Sequence, residues 1–231
     1  MNLRGERNKP EGIFRWPLIQ LLGKEGIVSL IVKKEKTFDP VAAGVHQGVC
    51  VSVYDLGTQH NKVFDKYSHQ ALIIWEIPSE RIEIQKDGQT MSLPRVVSKT
   101  YTLSFDDRSN FKKDLVSWRG REFTEEEEQG FDISKLVGVN GMLNIIHVSK
   151  DGKTYGNLGA ILPLYKGISK LEPENPTVVY SMEQGEPPES TPKWIVEKIH
   201  SSVEWTQAHN PVQDEHPPYD SGDNPDEGVP F

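Results

Sequence analysis

Lys99 and Tyr101 stand two residues apart in the run Ser98-Lys99-Thr100-Tyr101-Thr102-Leu103. An extended backbone places that cation and that ring on one face. A cation for a phosphate beside a ring for a base is what holding a single nucleic-acid strand requires when its sequence is not read. The neighbouring stretches add Phe64, Lys66, Tyr67, Trp75 and Arg95. Val97 and Leu103 share the Lys99 face, which equally fits a core face with Lys99 snorkelling to water. Trp75 also fits a core position, as does Trp118.

A second set of cations lies further on. From Arg95 to Arg121, seven basic residues (Arg95, Lys99, Arg108, Lys112, Lys113, Arg119, Arg121) face three acidic ones (Asp106, Asp107, Asp114). Phosphates respond to such a local field rather than to net charge. Lys112 and Lys113 with Arg119 and Arg121 form a candidate backbone clamp; a solvated helix face is the alternative. Lys153 and Tyr155 repeat the cation-and-ring pairing near the end of the patterned region.

Positioning these groups requires strands. Val45, Gln47, Val49, Val51 and Val53 alternate with their neighbours from Gly44, which predicts a first strand, followed by a polar loop over Gly57–Asn61. Tyr67–Ile77 predicts a second strand closed by Pro78. Residues 79–93 read as a hairpin or excursion turning at Asp87-Gly88, and Pro94–Phe105 as a third strand. Asp106 or Asp107 is placed to cap a helix over Arg108–Trp118, with Phe111, Leu115 and Trp118 as its apolar stripe and Gly120 as its stop. Thr124 and Glu127 fit a capping box, and Asp132–Leu136 a further turn. Gly141–Val148 and Thr154–Leu164 predict two more strands around the Asp151-Gly152 turn. Strand, strand, strand, helix, strand, strand is the order of an OB-fold, a five-stranded Greek-key barrel with a helix between strands three and four.

The expected organisation follows. Residues 1–36 form an N-terminal arm that the pattern assigns to no element and leaves free to move. Residues 37–165 form the mainly β domain and 166–192 a Pro- and acid-rich linker. A short amphipathic helix at 193–206 carries Ile195, Ile199 and Val203 on one face, and 207–231 form a disordered acidic tail.

Composition narrows the function. The formal charge is −8. The tail's six carboxylates (Asp214, Glu215, Asp220, Asp223, Asp226, Glu227) account for all but two of those charges, so the body is near neutral. One cysteine, Cys50, in an apolar run predicts a buried small hydrophobe and an intracellular chain without disulfides. No apolar run approaches a membrane span. Gly152-Lys153-Thr154 lacks the earlier glycine of a phosphate-binding loop, and seven scattered histidines supply no zinc pattern. Glu125–Glu128 at a helix start reads as surface that compensates the helix dipole. The expectation is a non-enzymatic binding protein without cofactor or metal.

The tail, Pro211–Phe231, contains no Lys or Arg and closes on Val229-Pro230-Phe231. It resembles the C-terminal tails of bacterial and phage single-stranded DNA-binding proteins, which end in acids followed by Pro-Phe and recruit replication and repair partners. Gly228-Val229 stands here where the bacterial form has an acid. Residues 37–205 also resemble a family of small tailed-phage replication-associated proteins, through Val53-Tyr54-Asp55-Leu56-Gly57-Thr58-Gln59, Ser98–Leu103, Ser117–Phe123, Gly130–Leu136 and Asp151–Tyr155. The resemblance implies sequence-independent single-stranded DNA binding in phage replication or recombination, in the cytoplasm of an infected bacterium. It also implies that Asp223, Asp226, Glu227, Val229, Pro230 and Phe231 bind replication or recombination proteins. Assembly of several copies is compatible with it. When DNA is absent, an acidic tail can also cover a basic groove. A protein–protein adaptor for phage assembly or host takeover, on an OB-like barrel without nucleic acid, is the alternative.

Overall fold

The computed structural model describes residues 39–86 and 88–209. The N-terminal arm and the expected partner-binding residues Asp223, Asp226, Glu227, Val229, Pro230 and Phe231 lie outside the described residues. The alternating run from Gly44 forms β1 (Gly44–Asn61), followed by β2 (Lys66–Lys86) and β3 (Gln89–Thr102). α1 (Asn110–Arg119) precedes β4 (Asn140–Lys150) and β5 (Lys153–Pro163). The order across the sheet is β3-β2-β1-β4-β5, with every neighbouring pair antiparallel. A short β6 (Val178–Tyr180) joins β1 in parallel at Ser52–Tyr54. The fold is mainly β: an open six-stranded sheet with few helices. The two ends of the order, β3 and β5, touch each other, and α1 packs against both.

β2 does not stop at Pro78. The ladder with β3 breaks register between Ile77 and Arg81 and then resumes to Lys86↔Gln89. A proline without an N–H is accommodated in such an irregularity. β1 likewise runs through the stretch expected as a polar loop, because Gly57–Asn61 pair with Lys66–Gln70. A register shift between Asp55 and Gly57 bends the strand there, with Gly57 at φ 66°.

Local signals set the helix ends. Ser109, not Asp106 or Asp107, caps α1, its hydroxyl accepting from the Phe111 N–H at 3.2 Å. Asp106 is engaged by Ser104 and Asp107 by Lys112. Gly120 ends α1 in the left-handed region at φ 70°, as its position predicts. Thr124 and Glu127 form the capping box of α2 (Glu125–Gln129), and a 3-10 turn follows at Ile133–Leu136.

Each face of the β1–β2 pair has its own apolar cluster. Cys50, Ile73, Trp75, Val97 and Tyr101 pack with Phe111, Leu115 and Trp118 of α1. Burial pushes the Cys50 thiol up to about 12, as for an inert small hydrophobe. Gly141 allows α1 to approach closely. A Cβ there would lie 2.6 Å from Trp118 Nε1, the atom that donates to the Asn140 carbonyl at 3.0 Å. Gly141→Ala is therefore expected to cost about 2 kcal/mol by overpacking, read as a lower denaturant midpoint at unchanged slope.

On the opposite face, Tyr54, Leu56 and Leu72 pack against Tyr180, Ile195, Ile199 and Trp205. Residues 166–192, expected as linker, thus run along the sheet as a strap. Asn140 exchanges hydrogen bonds with the Leu171 backbone at 2.8 and 2.9 Å. Glu76, fully buried, accepts from the Glu174 N–H at 2.6 Å and from Asn175 at 2.9 and 2.7 Å. The expected single helix is two, α3 (Lys193–His200) and α4 (Val203–His209). They break at Ser201-Ser202, where the Ser202 hydroxyl accepts from the Trp205 N–H at 3.2 Å. Trp205 replaces Val203 as the third buried contact. Glu204 fixes α4 to β1 through the Thr58 N–H at 2.8 Å.

Candidate nucleic-acid interface

The Lys99 and Tyr101 face is core. Tyr101 is 3% exposed, edge-on to Phe111, and its hydroxyl donates to Asp114 Oδ2 at 2.7 Å. Lys99 Nζ reaches the same oxygen at 2.6 Å. Burial first, and then the Asp114 charge, push the Tyr101 hydroxyl pKa up, so the ring stays neutral. Trp75 is 0% exposed and tilted against Trp118 at 5.6 Å. Neither Trp75 nor Tyr101 presents a face to a base. Beside them lies an open polar groove of about 610 Å³ whose charged lining mixes Lys99 and Arg108 with Asp106 and Asp107.

The basic stripe is largely neutralised by partners. Lys112 lies 2.7 Å from Asp107 and 2.9 Å from Glu128, which raise its pKa. Arg119 and Arg121 each lie 2.7 Å from Glu127. Those two bonds, Arg121's first, with one from the Thr124 backbone, hold the Glu127 carboxyl well below the usual range. Arg95 donates to the carbonyls of Arg81 and Asp39, fastening the chain before β1 to the β2–β3 arm. Among the described residues Lys113 reaches only the Arg108 carbonyl, at 3.3 Å. Charge counting over residues 95–121 missed this because the acids that neutralise Lys112, Arg119 and Arg121 include Glu127 and Glu128, beyond that window. The acidic run read as dipole-compensating surface is their ion-pair partner.

Free cations and exposed rings meet instead at two hairpin tips. Between β1 and β2, Val63 is 84% exposed, Phe64 70% and Tyr67 63%. Tyr67 stacks on His60 with centroids 4.4 Å apart. Lys62 and Lys66 flank this tip and have no carboxylate partner among the described residues. Asp151-Gly152 turns the other tip, between β4 and β5, and Lys150 faces Lys153 across the strands. Val148 faces Tyr155 two pairs further in, and Ile146 follows on the same exposed face. Lys150 and Lys153 also lack a carboxylate partner among the described residues.

Phe64, Lys66, Tyr67, Lys153 and Tyr155 are thus the expected residues that these tips present as exposed rings and as cations without a carboxylate partner among the described residues; Lys113, on α1, also lacks one among them. Lys62 and Lys150 are additions. Their signal was position: both lie within three places of a hairpin turn, where a side chain has no core to enter.

No family model, curated protein or solved structure matches the chain. The geometry of these tips therefore carries the functional reading. Among the described residues, no three His, Cys, Asp or Glu side chains are placed to hold a metal ion, and no helix is long and apolar enough to cross a membrane.

Proposed function

We propose that this chain is a non-enzymatic single-stranded DNA-binding protein on an OB-like barrel, acting in phage replication or recombination. The observation that carries the reading is the pair of hairpin tips where exposed rings stand beside lysines without a carboxylate partner among the described residues. Strand order supports it: β3-β2-β1-β4-β5, contact between β3 and β5, and a helix between β3 and β4 match the OB arrangement. In that arrangement the loops joining strands one to two and four to five are binding loops, and here they are the two tips. Phe64, Tyr67 and Tyr155 stack on bases, while Lys62, Lys66, Lys150 and Lys153 meet phosphates. The strap covers the outer face of β1 and β2, so the strand is bound at the tips rather than across that face. The acidic tail, through Asp223 to Phe231, recruits replication or recombination proteins in the infected cell.

The test is fluorescence anisotropy of the full chain with labelled oligo-dT of about 30 nucleotides. Phe64→Ala combined with Tyr155→Ala is expected to weaken binding about 100-fold, since each stacked base contributes about 1–3 kcal/mol. Lys150→Ala with Lys153→Ala is expected to flatten the slope of log K against log salt by roughly 1.4, two phosphate contacts on a single strand. Absence of binding at low salt would sink the reading. The adaptor reading draws on the same exposed Val63 and Phe64, which also suit a protein groove; it predicts no binding of DNA at all.

A further inference from the structure

A cleft of about 240 Å³ opens under α1, on a part of the molecule that the DNA reading does not use. Trp118, Phe123, Phe131 and Val139 wall it, and Arg119 and Lys135 are its polar members. The volume lies below the range for small-molecule sites, about 300–1,000 Å³, and suits an apolar side chain or two. Phe123 and Phe131 meet edge-to-face at 5.2 Å, so the aromatic walls are pre-formed. The Arg119 guanidinium stacks on Phe123 at 4.0 Å, which fixes its plane.

The cleft has an excess of positive charge. One carboxylate, Glu127, serves both Arg119 and Arg121. Arg119 Nη1 is buried and finds no acceptor among the described residues. Lys135 has no carboxylate within ion-pair distance among them, and its neighbour Asp132 is engaged in capping the 3-10 turn. The cleft therefore suits an apolar anchor carried on an acidic segment.

The chain contains one such segment. Asp223-Asn224-Pro225-Asp226-Glu227-Gly228-Val229-Pro230-Phe231 places three acids just before three apolar residues. Val229 follows the last described residue, His209, by 20 positions, which span up to about 65 Å when extended. That exceeds the roughly 40 Å diameter expected of a compact body of this size. We propose that the cleft under α1 is an intramolecular docking site for this chain's own residues 223–231. Val229-Pro230-Phe231 enter between Phe123, Phe131 and Val139, while Asp226 and Glu227 face Arg119, Arg121 and Lys135. The proposal is independent of DNA binding, because the cleft shares no residue with either hairpin tip.

The test uses a fluorescein-labelled peptide of residues 214–231 and full-length chains. The peptide is expected to bind the Phe231→Ala chain with micromolar affinity. Wild type should bind it at least about tenfold more weakly, because a tethered segment competes at millimolar effective concentration. Val139→Asp or Lys135→Glu, placed in the Phe231→Ala chain at exposed positions that leave folding intact, is expected to abolish or weaken peptide binding by about tenfold or more. Equal binding to wild type and Phe231→Ala overturns the intramolecular site. Indifference to both cleft substitutions overturns it as well, as does displacement of the peptide by oligo-dT.

Discussion

Tyr101→Ala is expected to lower stability by about 4 kcal/mol, the range for removing a buried aromatic ring. Tyr101 is 3% exposed and packs within the cluster formed by Ile73, Trp75, Phe111 and Trp118. Truncation opens a cavity bounded by rings that cannot collapse into it. It also strips Asp114 of its hydroxyl donor and leaves Lys99 as the remaining partner of that oxygen. Equilibrium urea unfolding of the full chain measures the loss. Tyr155→Ala, at an exposed hairpin position, should change stability by no more than about 0.5 kcal/mol. Affinity for oligo-dT should show the reverse ranking once folded fractions are equal: Tyr155→Ala weakens binding, and Tyr101→Ala does not. A stable Tyr101→Ala protein with selectively weakened binding would show that the ring turns outward to meet DNA.

Glu76→Ala is expected to cost about 3 kcal/mol, concentrated in the strap. The carboxylate accepts the backbone N–H groups of Glu174 and Asn175 and the Asn175 side-chain amide. Alanine leaves three donors without a partner and a void beneath the sheet. Hydrogen exchange at residues 174–180 should then accelerate by about 100-fold, while the β2–β3 ladder keeps most of its protection. Glu76→Gln keeps the shape but turns an amide toward donors, and is expected to fall between the two. Unchanged exchange in the Glu76→Ala protein would mean that β6 and the β1 contacts of α3 and α4 hold the strap unaided.

Much of the β framework was legible because alternation and turn residues are local signals. Val45 to Val53, the Asp151-Gly152 turn, the Gly120 stop and the Thr124–Glu127 box each specify their element without help from distant residues. β6 was not legible, since Val178-Val179-Tyr180 is a strand only where the Ser52–Tyr54 edge receives it. The continuation of β2 past Pro78 was hidden for a similar reason: its partner on β3 determines it. The candidate site was the least legible part. Alternation shows that Lys99 and Tyr101 share a face, but not which face is covered. In β1 and β2 both faces are covered, one by α1 and one by the strap, so polarity there loses its meaning as a guide to solvent. Ion pairs were missed for want of three-dimensional proximity: Arg119 and Glu127 are brought together by the Gly120 turn.

The buried carboxylate of Glu76 also has a history during synthesis. Its first donor, Glu174, lies 98 residues further along the chain. At ribosomal rates the carboxylate is made about 5–20 s before that donor exists. Through that interval the Ser52–Tyr54 edge and the Tyr54, Leu56 and Leu72 side chains have no cover from this chain. A bare strand edge beside an apolar face is where neighbouring nascent chains add strands of their own. Faster translation of the stretch from β5 to α4 should therefore raise the soluble yield, and pausing within it should raise the aggregated fraction.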